Sequence, residues 1–131
     1  MTRREAREQA FVLLFEKSFN PQAEIGELID LAKEFGMYEE DEYSNSVVHT
    51  ACENMQAIDE QISNYARGWK INRIPKVSLA LIRLAMTEIL YLENVPSGVS
   101  INEAVELAKK YASPEDASFV NGILGTVARA Q

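Results

Sequence analysis

Histidine and cysteine, the residue types on which zinc binding and thiol chemistry depend, are rare in this sequence. His49 and Cys52 are the single histidine and the single cysteine, and their spacing places them on one helix face. They cannot complete a four-ligand zinc site, and Cys52 cannot form an internal disulfide. We find no phosphate-binding glycine loop, no G-x-S-x-G and no H-E-x-x-H motif. We interpret the pair as packing or surface residues and expect no enzyme activity, metal or cofactor.

An acidic run at residues 39–42, E-E-D-E, could in principle bind a cation. It lacks the alternating ligand spacing and the central glycine of a calcium loop. We therefore interpret the run as the solvated start of a helix.

Three arginines near the start of the chain could hold phosphate groups. The spacing of Arg3, Arg4 and Arg7 places them on one side of a helix, with Glu5 and Glu8 pointing partly elsewhere. Arginine suits this purpose because its planar guanidinium donates paired hydrogen bonds to a phosphate. A solvated helix face is the alternative interpretation of the same pattern.

Charge along the chain is segregated. The net charge is −7, yet residues 18–62 hold one base and eleven acids, whereas residues 63–83 hold five bases and no acid. A negative net charge disfavours non-specific binding of nucleic acid, but a basic segment can still bind a polyanion locally.

Two residues of the basic segment lead to structural expectations. Trp69 lies between two bases, where it could offer a stacking face to a nucleic-acid base, but we favour a core plug. Arg83 is the single base within the most apolar stretch, and a buried guanidinium needs a carboxylate. We expect Arg83 to pair with Glu103 or Glu88, with Glu103 preferred.

Helix signals occur throughout and strand signals almost nowhere. Capping-box patterns at Thr2 and Ser100, and Ser113 followed by Pro114, predict three helix starts. The expected helices run from about Thr2 to Phe19, Ile25 to Phe35, Tyr43 to Arg67, Val77 to Leu92, Ser100 to Tyr111 and Ser113 to Ala130. We predict an all-α fold in which residues 1–131 form a single compact domain of six or seven helices.

Length and composition agree with one globular domain. The chain has 131 residues, of which 47% are apolar and 25% are charged, as in ordinary soluble proteins. No apolar run reaches the ~18 residues of a membrane span, and the N-terminus lacks a secretory pattern. We expect a cytoplasmic protein with no membrane association.

Several sequence blocks resemble the NusB family of bacterial transcription antitermination factors. They are R-R-E-A-R-E-Q-A-F-V-L-L-F at 3–15, L-I-R-L-A-M-T-E-I at 81–89, V-S-I-N-E-A-V-E-L-A-K-K-Y at 99–111 and F-V-N-G-I-L at 119–124. The blocks occur in the family's order and spacing, and the resemblance spans nearly the whole chain. It implies an all-helical fold of two helical subbundles.

The resemblance also implies a function. Family members pair with the ribosomal protein NusE, bind the boxA element of nascent RNA and join other Nus factors on RNA polymerase. They suppress premature termination, notably in ribosomal RNA operons. We therefore expect a non-enzymatic RNA-binding factor. The alternative is a helical protein adaptor with little RNA affinity of its own, which the net charge of −7 favours.

Candidate site residues follow from the resemblance position by position. The family's arginine-rich N-terminus falls on Arg3, Arg4 and Arg7, and its aromatic positions in the first and last helices fall on Phe15 and Phe119. Arginines hold phosphates and aromatic faces stack on splayed bases, so these types suit single-stranded RNA. Core packing is the alternative for both phenylalanines.

Three positions depart from the family pattern. Ser78 lies where relatives often carry an acid that meets NusE, and we take it as the candidate partner-binding position. Ser118 replaces a frequent lysine before Phe119, and Gly125 replaces a common aspartate. These departures bear on the strength of the partner and RNA contacts and not on the fold.

Overall fold

Seven α-helices and one 3-10 turn make up the chain in the computed structural model, which describes residues 1–131. The helices are α1 (Arg3–Phe19), α2 (Ile25–Glu34), α3 (Glu42–Glu53), α4 (Met55–Tyr65), α5 (Lys76–Tyr91), α6 (Ser97–Tyr111) and α7 (Pro114–Arg129), and the 3-10 turn is Ile71–Arg73. No strand forms, which confirms the all-α prediction. None of the helices is long and apolar enough to span a bilayer.

Helix α5 lies at the centre of the fold because it is apolar on nearly every side. Its residues 78–88 are buried without interruption. Helices α1, α2 and α3 pack on one another as one subbundle, while α4, α6 and α7 each pack on α5 as the other. Because α1 and α3 also contact α5, one core of 30 buried residues joins the two subbundles. The predicted arrangement is confirmed.

Two of the three predicted helix starts are formed by the expected caps. The Thr2 hydroxyl accepts from the backbone N–H of Glu5 at 3.1 Å, and the Glu5 carboxylate accepts from the backbone N–H of Thr2 at 2.7 Å. The Ser113 hydroxyl accepts from the backbone N–H of Asp116 at 3.1 Å, directly before Pro114 opens α7. These caps satisfy amides that the first turn of a helix leaves without partners.

The acidic run starts a helix and two glycines end helices, as the sequence predicts. Asp41 caps α3, because its carboxylate accepts from the backbone N–H of Ser44 at 2.9 Å, which confirms that the run starts a helix. Gly36 after α2 and Gly68 after α4 have φ of +69° and +78°. Glycine adopts this left-handed backbone without steric cost, so both helices end where the sequence predicts a break.

The helix predicted from Tyr43 to Arg67 is in fact two helices, α3 and α4. Asn54 lies between them with φ −114° and ψ 16°, and its side-chain amide donates to the Thr50 carbonyl at 2.9 Å. Helix α3 packs on α1 and α5, whereas α4 packs on α5 and α7. One straight helix could not reach both sets of neighbours, so the amphipathic pattern continues across a bend.

Helix α6 begins at Ser97, which corrects the second predicted capping box. Pro96 precedes the first turn with extended backbone. Ser100 is buried one turn inside the helix, and its hydroxyl has no hydrogen-bond partner. Glu103 therefore does not cap α6; its carboxylate instead accepts from Arg4 of α1.

Candidate nucleic-acid and partner interface

Arg7 is buried between α1 and the core instead of projecting into solvent. Its Nε donates to Oε2 of Glu88 at 2.7 Å, and the exposed fractions of the two residues are 5% and 1%. The Tyr43 hydroxyl donates to the same carboxylate oxygen. The prediction that Arg7 emerges beside Arg3 and Arg4 is therefore wrong, because its guanidinium is bound to a buried carboxylate.

Burial and hydrogen bonding to Glu88 determine the pKa values of Arg7 and Tyr43. Desolvation by itself lowers the pKa of Arg7, but the hydrogen bond to Glu88 and the charge of Glu88 outweigh it and raise the pKa above its ordinary value. Burial, and then the hydrogen bond to Glu88, raises the pKa of Tyr43. Arg7 stays charged and Tyr43 stays protonated, so both remain donors to one carboxylate.

Arg3 and Arg4 remain on the surface, each against a different helix. Arg4 pairs with Glu103 of α6 through Nε and Oε2 at 3.1 Å, with 68% of its side chain exposed. The guanidinium carbon of Arg3 lies 3.8 Å from the centre of the Tyr43 ring, and Arg3 makes no ion pair. A guanidinium above a ring keeps its N–H edges free, so Arg3 has the most available donors of the three.

Phe15 is half-buried within a row of aromatic rings along α1. Its ring centre lies 6.1 Å from that of Phe11 and 5.0 Å from that of Phe19, the latter contact being edge-to-face. Phe19, the last residue of α1, is 57% exposed, and the Lys76 Nζ lies 5.5 Å from its ring centre. The more accessible aromatic ring at this end of α1 is therefore Phe19.

Phe119 packs partly against the core and contacts Trp69. The two ring centres are 5.5 Å apart and the ring planes are inclined at 64°, an edge-to-face arrangement. Trp69 is 50% exposed, so the core-plug interpretation is wrong. Because the chain turns at Gly68, Trp69 reaches the surface of α7 rather than the interior.

Ser78 has no exposed surface, which corrects its assignment as a partner-binding residue. Its hydroxyl lies 3.5 Å from a carboxylate oxygen of Asp116, where the first turn of α7 covers the start of α5. A buried side chain cannot contact a docked protein. Lys76, two residues earlier on α5, is exposed.

Arg83 pairs with Asp59 of α4 rather than with Glu103 or Glu88. Two parallel hydrogen bonds join them, from Nε to Oδ1 at 2.9 Å and from an Nη to Oδ2 at 2.8 Å. Both predicted partners are already bound to arginines of α1. The requirement for a carboxylate was predicted, but the choice of carboxylate was wrong.

The cations of the middle basic segment, residues 67–76, differ from the N-terminal arginine group of Arg3, Arg4 and Arg7. All four of them are exposed and none forms an ion pair: Arg67, Lys70, Arg73 and Lys76. A cation without a carboxylate partner attracts a polyanion more strongly than a neutralised one. This segment therefore holds the larger available positive charge.

The two other positions that depart from the family pattern, and the single histidine and cysteine, have minor structural roles. Ser118 is exposed beside Phe119, and a Cβ at Gly125 would lie 3.3 Å from the Arg129 guanidinium. His49 is exposed on α3, and Cys52 is partly buried, with burial raising the pKa of its thiol. The last two agree with packing or surface positions.

Fold and surface together define a class, the two-subbundle helical proteins that display arginines and aromatic rings. Comparison with known proteins narrows the class, because the NusB family model matches residues 4–129. The chain belongs to the NusB family. It is 43% identical over 132 residues to the transcription antitermination protein NusB of Natranaerobius thermophilus, covering 98% of this chain and 95% of that protein. To the NusB protein of Alkaliphilus oremlandii it is 45% identical over 126 residues, or 95% and 91% of the two chains.

Solved structures agree with these relatives. T. maritima NusB superposes with a TM-score of 0.86 at 29% identity, over 98% of this chain and 92% of that one. A chain from a structure of the antitermination factors NusB and NusE in complex with dsRNA superposes with a TM-score of 0.85 at 29% identity, over 100% of both chains.

Proposed function

We propose that this chain is a transcription antitermination factor that binds boxA-type single-stranded RNA jointly with the ribosomal protein NusE. It acts in the cytoplasm as part of an antitermination complex with other Nus factors on RNA polymerase, notably on ribosomal RNA operons. The observation that carries the NusE and RNA part of this proposal is the match over the whole of both chains to a chain from a NusB, NusE and dsRNA complex. The name shared by the curated relatives supports the antitermination function. The choice of single-stranded RNA rests on the exposed arginines and aromatic rings.

The geometry supports binding rather than bond-breaking chemistry. Arg3 offers free N–H donors above the Tyr43 ring, and Arg4 keeps most of its side chain in solvent. Such groups bind phosphates, while the partly exposed rings of Phe15 and Phe119 supply apolar contact for bases. In this proposal Arg7 acts indirectly, by fixing α1 and thereby the position of Arg3.

A basic partner is needed because the body of the protein is acidic. Residues 18–62 hold one base and eleven acids and repel the RNA backbone. Docked NusE would extend the positive surface, and linkage requires that RNA tighten the protein pair by the factor by which the partner tightens RNA. We expect this coupling to be about fivefold or more.

The test is fluorescence anisotropy of a labelled boxA-type RNA titrated with the chain alone and with the chain saturated with NusE. We expect tighter binding with NusE, and weaker binding for the Arg3→Ala, Arg4→Ala double variant in both titrations. Arg129→Ala is the matched control, because Arg129 is an exposed arginine at the opposite end of α7 from Phe119. Equal affinity with and without NusE would contradict joint binding.

The second candidate function is a protein adaptor with little RNA affinity. Two observations favour it: the net charge of −7, and the ion pairs that occupy Arg4 and Arg7. The same experiment, with a third titration of the RNA with NusE alone, separates the two functions. An adaptor would bind NusE while leaving the RNA affinity of NusE unchanged.

A further inference from the structure

Trp69 is a large aromatic residue at the surface that the fold covers only in part. Half of its surface is exposed, although tryptophan is usually among the most buried residues of a domain. Its edge-to-face contact with Phe119, at 5.5 Å between ring centres, fixes the indole against α7. The ring is therefore held in place while much of its surface stays open.

The surroundings of Trp69 are basic. Arg67 and Lys70 flank it in the chain, both exposed and both without an ion pair. Residues 63–83 contain no acid, and the nearest acids along α7 are Asp116, which is hydrogen-bonded to Ser113, and Glu115, three and four residues before Phe119. An exposed ring between unpaired cations matches single-stranded nucleic acid, in which each nucleotide has one phosphate and one π-face.

The basic segment also leads towards α1. Its last cation, Lys76, lies 5.5 Å from the centre of the exposed Phe19 ring at the end of α1. Residues 67–76 thus connect one aromatic pair, Trp69 with Phe119, to another, Phe19 with Phe15. Alternating rings and cations suit a strand of bases and phosphates better than a basic protein, which these cations would repel.

We propose that Trp69 is a stacking platform for an unpaired RNA base, with Arg67 and Lys70 holding the adjacent phosphates. This inference rests on the proposed RNA-binding function and extends it to a surface that the family resemblance does not assign. RNA held by Arg3 and Arg4 would continue past Phe119 onto the middle basic segment. The site at Trp69 therefore requires single-stranded RNA that is long enough to reach it from Arg3 and Arg4.

The experiment uses the fact that Trp69 is the single tryptophan of the chain. Fluorescence excited at wavelengths that tryptophan but not tyrosine absorbs therefore reports on this site alone. We titrate it with a single-stranded boxA-type RNA, with inorganic polyphosphate as an anion that has no bases, and with NusE alone. Anisotropy of the same labelled RNA measures overall binding in parallel.

We expect RNA to quench Trp69 along the same titration curve as anisotropy, and polyphosphate not to quench it. Trp69→Leu keeps an apolar side chain against Phe119 but removes the π-face, and should weaken RNA binding by about 5- to 100-fold. Trp69→Phe, which keeps a π-face, should restore most of the affinity. Arg67→Ala with Lys70→Ala should lower the slope of log affinity against log salt by about 1.4.

The outcomes separate this inference from the proposed function. RNA that binds by anisotropy without quenching Trp69, or that binds Trp69→Leu normally, overturns the stacking site and leaves the antitermination function standing. Quenching by NusE but not by RNA shows instead that this surface docks protein. If no RNA binding is detected with or without NusE, both proposals fail.

Discussion

The N-terminal arginine group and the middle basic segment are both cationic in the sequence, but the fold treats them differently. Arg4 and Arg7 bind carboxylates of α6 and α5, and Arg3 lies on an aromatic ring of α3. The four cations of residues 67–76 have no carboxylate partner. The first group therefore fixes α1 to three helices, whereas the second stays available to a ligand.

The difference arises from acids that are distant in sequence. Glu88 and Glu103 are 81 and 99 residues from the arginines that they bind. Arg67 and Lys70 lie in a connection between helices, where no helix face presents an acid to them. A count of basic residues thus overstates the charge available at α1 and gives the correct charge for the connection.

The largest expected effect is on the buried arginine. Arg7→Ala leaves the Glu88 carboxylate buried without its cation and should destabilise the protein by about 3–5 kcal/mol. Urea unfolding followed by circular dichroism measures this change. Arg4→Ala is the matched control on the same helix, and because its pair is exposed it should cost ~1 kcal/mol or less.

A double variant tests the cause of that loss. Replacing Arg7 by Met and Glu88 by Leu together removes both charges, so it should be clearly more stable than Arg7→Ala alone. If Arg7→Ala were as stable as Arg4→Ala, the buried position of Arg7 would be wrong, and with it the contrast between the two basic groups.

The next largest effect concerns Arg83, the one cation of residues 63–83 that forms an ion pair. Arg83→Ala removes two charge-assisted hydrogen bonds to Asp59 and should destabilise the fold by about 2 kcal/mol. Asp59→Ala should cost a similar amount, whereas Glu103→Ala should not. A double-mutant cycle on Arg83 and Asp59 in urea should show coupling. Coupling of Arg83 to Glu103 instead would contradict the pair with Asp59.

Local signals in the sequence predicted most of the fold. The caps at Thr2 and Ser113, the left-handed Gly36 and the apolar α5 depend on neighbours within a few residues, and all are confirmed. The bend at Asn54 was not predicted, because it follows from the packing of α3 and α4 on different helices.

The candidate site was harder to predict because it depends on contacts between distant residues. One local signal was available for Arg7: it shares a helix face with Phe11 and Leu14, four and seven residues later, which are both buried. No local signal distinguishes Trp69 at the surface from a core plug, since its position depends on where α7 places Phe119.

A smaller effect distinguishes the two exposed arginines of α1. Arg3→Ala should lower the slope of log RNA affinity against log salt by about 0.7, as expected for one lost phosphate contact to a single strand. Arg4→Ala should lower it less, because Glu103 already neutralises part of its charge. Anisotropy titrations at four salt concentrations measure both slopes. Equal slopes for the two variants would show that the Glu103 pair opens when RNA binds.

The smallest expected effect is a pH dependence of the unfolding free energy. It concerns Glu8, an acid of α1 that is bound by a cation and a hydroxyl of α6. Glu8 accepts from Lys110 at 2.7 Å and from the Tyr111 hydroxyl. These two hydrogen bonds outweigh burial and hold the pKa of Glu8 below its ordinary 4.5.

A carboxyl whose pKa is lower in the folded state stabilises the protein above its unfolded pKa, and this contribution disappears as the pH falls through the folded value. Glu8→Gln should therefore lower the unfolding free energy at neutral pH, and the difference from the parent protein should shrink steadily below pH 4.5. Urea unfolding at about pH 7, 5, 4 and 3 measures this difference. Glu106→Gln is the control, because Glu106 is an exposed acid of α6 that pairs only within its own helix. A difference that stayed constant with pH would mean that Glu8 contributes by packing rather than by its charge.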